Sequence, residues 1–315
     1  MEKQDLKKAI LCTLAYFDLN TYPLTAIEIG QWLYGLPSPD LVDLLALLEE
    51  MKRQNQLQEK YGYFYLPGRE ATVEKRRCGL VISELKLKKA RRAAKFVRGV
   101  PFLKAIFVCN TVSSGTALVD SDIDFFIIAK SGRLWLVRFF TNIILRLFGL
   151  RTYGDRQRDK ICLSFFVDDS NLNLEKLKAA EIDIHFAYWA VQMMPIYDPD
   201  NYWKKFLSAN YWLKKYIPNL SNNLFFLNLI NSGKILIIWK KFWEIIWSGA
   251  YGDLLEKQAR DWQILKMKLS VQEKSKIPNN SVVINNGVIK LHENDTRLDC
   301  AQVWQTRVQA IINSL

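Results

Sequence analysis

The sequence predicts a mixed α/β (α+β) fold in three parts, and three observations carry that prediction. Residues 1–68 show helical apolar spacing that ends in a hairpin signal. Residues 102–167 hold three short apolar runs of the kind that form buried strands, and from residue 196 helical spacing returns. The parts are set at 1–68, 69–195 and 196–315, with a basic helix over 69–99 leading into the middle one. A chain of 315 residues, half of them apolar, can bury a sizeable core, and its composition excludes wholesale disorder.

The totals also bound the partners. A net charge of +12 favours an anionic one: nucleotide, nucleic acid or lipid headgroup. Cys12, Cys78, Cys109, Cys162 and Cys300 are dispersed, with neither CxxC nor zinc spacing, which fits reduced thiols and a cytoplasmic location. The opening MEKQDLKKAILCTLAYFDLN is basic then apolar, but Asp18 interrupts it, and a helical period describes it better than a signal peptide. No stretch reaches about 18 uncharged apolar residues, so no spanning helix is expected.

In order along the chain, Leu6, Ile10, Leu14 and Phe17 recur at helical spacing. Thr25 and Glu28 read as a capping box for a short helix over 26–34 that Gly35 ends. Pro37 and Pro39 introduce a third helix, with Leu41, Leu44, Leu45, Leu48 and Met51 on one stripe. LQEKYGYFYLPG then forms a hairpin turning near Gly62. Three helices and a hairpin are the order of a winged helix-turn-helix. DNA binding through the third helix is the less favoured reading. Asp40, Asp43, Glu49 and Glu50 outnumber Lys52 and Arg53 there, whereas a helix approaching phosphates should be basic. A protein-binding or scaffold module is the alternative.

The stretch 69–99 carries eleven basic side chains against three acidic ones. A solvated helix with extended Lys and Arg side chains accounts for it. The sharper alternative is that Lys88, Arg91, Arg92 or Lys95 reaches a triphosphate or polynucleotide. A strand over 102–109 follows, then small and polar residues 110–120, then a second strand over 122–129. Side chains two apart share a strand face, so Asp122 and Asp124 point together, roughly 7 Å apart, with Ile123, Phe125 and Ile127 on the other side. That is a metal-binding pair at the start of a buried strand. An apolar helix over 134–148, a charged loop, a third strand over 161–167 and a helix over 182–194 complete the middle part. His185, Tyr188 and Trp189 in that last helix read as core or hydrogen-bonding residues.

Helices are expected over 201–216, 222–247 and 250–270, and a final one over 301–312. In the second, Trp239, Trp243 and Trp247 fall at i, i+4 and i+8 among lysines. Core packing in a bundle is the expected explanation, ahead of peripheral contact with a membrane surface. SVVINNGVIKL reads as a hairpin, and His292, Glu293, Asp295 and Arg297 as a polar loop.

Small residues followed by Ser-Asp-Ile-Asp on a strand resemble the DNA polymerase β-like nucleotidyltransferase superfamily. Its members show a Gly-Ser pair after the first strand, a later Gly and an Asp-x-Asp. Asn110 and Thr111 fall on the pair, Gly115 on the later glycine, and Asp122 and Asp124 on the metal aspartates. More loosely, the arrangement resembles bacterial proteins that join a winged helix to such a domain. The resemblance implies a Mg²⁺- or Mn²⁺-dependent transfer of a nucleoside monophosphate from an NTP to a hydroxyl of a small molecule, protein or nucleic acid. Asp122 and Asp124 would hold the metals, and Asn110, Thr111, Ser113, Ser114 and Gly115 would cradle phosphates, with Arg92 and Lys95 as further phosphate contacts. Two departures stand out. Asn110 puts a Cβ where glycine would let backbone approach phosphate. Ser164 sits mid-strand where active members carry a third carboxylate, while Asp159 precedes that strand and Asp168 and Asp169 follow it. A catalytically inactive sensor or scaffold on the same fold is therefore the alternative.

Overall fold

Local chemistry sets the first elements. In the computed structural model, which describes residues 3–154, 157–220, 229–272, 282–291 and 296–314, the chain opens with α1 (Lys3–Leu19), α2 (Ala26–Trp32) and α3 (Leu41–Arg53). The expected capping box forms: Thr25 N–H donates to Glu28 Oε2 at 2.9 Å and Glu28 N–H to Thr25 Oγ1 at 3.3 Å. Asp40, rather than the prolines, starts α3 by accepting the Asp43 N–H. The α3 stripe is narrower than expected. Leu44, Leu48 and Met51 are buried with Leu47, whereas Leu41 and Leu45 face outward. A hairpin, β1 (Gln58–Lys60) and β2 (Tyr63–Tyr65), turns through Tyr61 and Gly62, both at positive φ. Leu24 bridges to Phe64 beside it.

A long helix, α4 (Ala71–Val97), leads to β3 (Leu103–Cys109), α5 (Asn110–Ser114), β4 (Ile123–Ala129), α6 (Leu134–Leu147) and β5 (Ile161–Asp168). The stretch 110–120, expected to be loop throughout, thus begins with a short helix. Next come α7 (Ile184–Val191) and β6 (Met194–Tyr197). The helix expected over 182–194 stops at Val191, and Met194 instead begins an edge strand, Met194–Tyr197, where Pro195 needs no ladder N–H. The helix expected over 201–216 breaks into α8 (Tyr202–Ala209) and a tight turn over Tyr211–Lys215. The cause is Asn210, whose buried amide donates to Leu172 O and accepts from Leu174 N–H. The chain ends with α9 (Lys234–Ile246), α10 (Ala250–Gln272), β7 (Val282–Ile284), β8 (Val288–Leu291) and α11 (Arg297–Ser314). The first part of the helix expected over 222–247 and the expected polar residues His292, Glu293 and Asp295 lie outside the described residues.

The six strands from β3 onward form one mixed sheet in the order β6–β3–β4–β5–β8–β7. Among the described strands only β4 and β5 run parallel. The hairpin near residue 285 therefore extends the central sheet. Period-two alternation divides the sheet between two clusters, with irregularities near Leu103 on β3 and between Cys162 and Phe165 on β5. Phe107, Phe126, Phe165 and Val167 face one apolar cluster that continues into α1, α2, α3, α7, α8 and α11. Val108, Ile123, Phe125, Ile127 and Leu163 face a second cluster with α4, α6 and α10. Helices thus cover both faces. No described helix is long and apolar enough to cross a membrane.

The tryptophan helix departs from the bundle expectation, because none of its residues is buried. Trp243 and Trp247 turn inward and are half-buried, with Trp247 stacked on Phe140, while Trp239 is 52 % exposed.

Candidate metal and phosphate site

The start of β4 projects Asp124 from the sheet face shared with Phe126, with Asp122 two residues before it, while Ile123 and Phe125 fill the opposite core. The alternation expected from the sequence holds. Because β4 lies between β3 and β5, Asp124 is in register with Cys109 on one side and Cys162 on the other. Ligand atoms of Asp122, Asp124 and Cys162 lie within 4.8 Å of one another. Ser164, two residues further along the same face of β5, has Oγ 3.5 Å from Asp124 Oδ1. A serine therefore stands beside the aspartates where a third carboxylate would reach them.

Asn110 is the hinge of the site. Its φ is +59°, in the left-handed region that glycine favours and asparagine tolerates. The glycine-for-asparagine difference thus costs the backbone little, and the side chain gained is used. Trp189 Nε1–H donates to Asn110 Oδ1 at 2.7 Å, and the Asn110 side chain hydrogen-bonds Asp124. The indole fixes which way the amide points. In α5, Ser113 and Ser114 hydroxyls donate back to the carbonyls of Asn110 and Thr111, and Thr111 is exposed. Gly115 closes that helix at φ +76°, and a Cβ there would come within 3.1 Å of both Arg76 Nη1 and Leu80 Cδ2.

Burial, and then the charge of Asp122, push the Asp124 carboxyl up to about 6, against hydrogen bonds from Asn110, Cys162 and Ser164. Burial also raises Asp122, opposed by Cys162, by its own backbone N–H and by the charges of Arg151 and Lys86. Two carboxylates that hold each other in the less ionised state are what a bound cation relieves. The donor set fits an oxygen-preferring divalent cation on Asp122 and Asp124, because burial and the two aspartates hold the Cys162 thiol well above its usual range and keep it protonated.

The three acids near β5 are engaged elsewhere. Asp159 binds Lys86 Nζ at 3.0 Å and Lys89 Nζ at 2.6 Å. Asp168 pairs in register with Ala129 at the far end of the sheet and accepts bonds from Ser170 and Asn171. Asp169 accepts from Ser131 N–H and Tyr202 OH. Arg92 and Lys95, expected near phosphate, lie exposed on α4, turned away from the buried stripe of that helix. The buried α4 cation that acts on Asp122 is instead Lys86, which donates to Val119 O and Ser121 O and ties α4 to the entrance of β4.

Sequence reasoning missed Lys86, Arg151 and Cys162. Lys86 was hidden among its basic neighbours. Its helical spacing with Val73, Arg76, Gly79 and Ser83 marks the inward face of α4. Arg151 and Cys162 reach the aspartates only through the parallel pairing of β4 with β5, which no local pattern reveals. Compared with protein-family models, curated proteins and solved structures, the chain matches none.

Proposed function

We propose that the chain is a divalent-cation-dependent nucleotidyltransferase, which moves a nucleoside monophosphate from an NTP to a hydroxyl acceptor. The carrying observation is the Asp122–Asp124 pair at the head of β4, with Asp122 half-buried and Asp124 buried, both carboxyl pKa values raised and a fixed Asn110 beside them. In this reading the β3–α5–β4 unit with parallel β5 is a nucleotidyltransferase-type core, and residues 1–68 are a winged helix.

Asp122 and Asp124 hold the cation, Mg²⁺ or Mn²⁺. When bound, it would screen the triphosphate oxygens and stabilise the departing pyrophosphate. Asn110, held by Trp189, orients Asp124. Arg151 adds a positive charge beside the pair. The backbone of 111–115 offers N–H groups to phosphate. The acceptor oxygen bonds to the α-phosphorus, the bond from that phosphorus to the bridging oxygen breaks, and pyrophosphate leaves with the electron pair. With Ser164 rather than an acid beside Asp124, the acceptor's proton passes to solvent.

That same serine favours a second reading, a nucleotide-binding sensor without turnover. One assay separates the two. Labelled NTPs with Mg²⁺ or Mn²⁺ are screened against hydroxyl acceptors. Release of pyrophosphate that Asp122→Ala abolishes establishes the enzyme, whereas nucleotide binding without release establishes the sensor. For the winged helix, exposed Leu41, Val42 and Leu45 among Asp40, Asp43 and Glu49 favour a protein partner over DNA.

A further inference from the structure

The helix that the bundle expectation put in the core has two apolar stripes back to back. The inner stripe is Leu236, Trp243 and Trp247, together with two polar anchors. Lys240 Nζ donates to Leu103 O at 2.6 Å, and Glu244 Oε1 accepts the Phe102 N–H at 2.7 Å. These seat α9 across the start of β3, and Leu236 meets Gly99 at the end of α4. The outer stripe is Ile235, Ile238, Trp239, Phe242, Ile245 and Ile246, spaced i, i+3, i+4, i+7, i+10 and i+11. Ile235 is 85 %, Ile238 68 % and Ile245 74 % exposed. A contiguous apolar stripe of this kind is a binding surface.

Charge decides what binds it. Lys234 and Lys241 lie exposed on the same helix. α4, whose end meets α9 at Gly99, exposes Arg92 and Lys95. The one acid of α9, Glu244, is turned inward on Phe102. Pairing with a second copy through a twofold axis would set this basic rim against itself. An anionic lipid surface complements it, and α9, at 13 residues and about 20 Å, has the length to lie in the headgroup layer and not to span it. We infer that α9 docks the protein on an anionic bilayer surface, its outer stripe entering the headgroup layer, with Trp239 at the lipid–water boundary and the lysines on acidic headgroups.

The test is flotation of the full chain with vesicles of phosphatidylcholine alone or with added phosphatidylglycerol. The expected result is binding to the anionic vesicles, weakened by salt. Ile238→Glu/Phe242→Glu should lower partitioning about tenfold or more, with circular dichroism unchanged because both positions are exposed. Lys234→Glu/Lys241→Glu should reduce binding to anionic vesicles selectively. The proposal is overturned if the wild type stays unbound, binds both vesicles equally, or binds as well after the Ile238/Phe242 change. It is also overturned if the wild type is a dimer that this change splits while vesicle binding is absent. None of these outcomes depends on nucleotidyl transfer.

Discussion

Asp124 combines burial, a charged neighbour and three hydrogen bonds in one side chain. Its carboxyl titrates near 6 in the folded chain and near 3.8 when unfolded, so between those values the folded state holds the extra proton. The contribution of this group is therefore present in full below about pH 4 and is lost as pH rises towards 6. Asp124→Asn should abolish that loss and stabilise the metal-free protein at pH 7 by about 1–3 kcal/mol, measured by urea unfolding across pH. Cation binding needs the ionised pair, so affinity should rise through the same window and vanish in the variant. Ser164→Asp tests whether an acid at that position joins the aspartate pair in holding a cation. The melting temperature should fall without metal and recover with Mg²⁺, whose affinity should rise roughly tenfold. A melting temperature indifferent to Mg²⁺ would show that position 164 does not face the cation. At this scale much of the site was legible. The Asp pair and its common face follow from spacing alone, whereas Ser164 was singled out only by the resemblance to nucleotidyltransferases. Cys162 and Arg151 were not legible, because strand register brings them in.

The capping box at the start of α2 has a second use at the level of elements. Glu28 also accepts from Arg76 Nη2 on α4 at 2.6 Å, while that guanidinium stacks 3.4 Å from the Tyr22 ring centre and donates to Ser114 O. One buried arginine thus joins α2, α4 and the end of α5. Thr25→Ala removes a cap and should cost about 1 kcal/mol. Glu28→Ala also strands the Arg76 charge and should cost about 2–4 kcal/mol. Equal losses in guanidinium titrations would mean that the ion pair contributes nothing. The cap was readable from Thr-x-x-Glu. Its arginine partner, 48 residues away, was not.

Across the whole molecule, the first helix and the last share one core. Trp304 on α11 donates its indole N–H to Cys12 O and packs edge-on against Tyr34, and Arg307 pairs with Asp18 at 2.5 Å. The cluster holding α1 also reaches the Phe107, Phe126 and Phe165 face of the sheet. Unfolding should therefore be one cooperative event, with the same midpoint by far-ultraviolet dichroism and by fluorescence. Trp304→Ala should lower stability by about 3–5 kcal/mol and shift both signals together. A separate early transition confined to part of the signal would show that the ends fold apart.

The sequence by itself determined the mixed α/β class, most helix and strand positions, the capping box and the aspartate pair with its common face. Each depends on a period or motif within a few residues. The tertiary structure decided everything that joins distant segments. It put Met194–Tyr197 and the last hairpin into the central sheet, Lys86 under the entrance of β4, and Cys162 and Ser164 beside Asp124. It also decided the fate of the tryptophan helix. The same i, i+4, i+8 spacing suits a core or a surface, and only what packs around a helix determines whether its apolar stripe is covered.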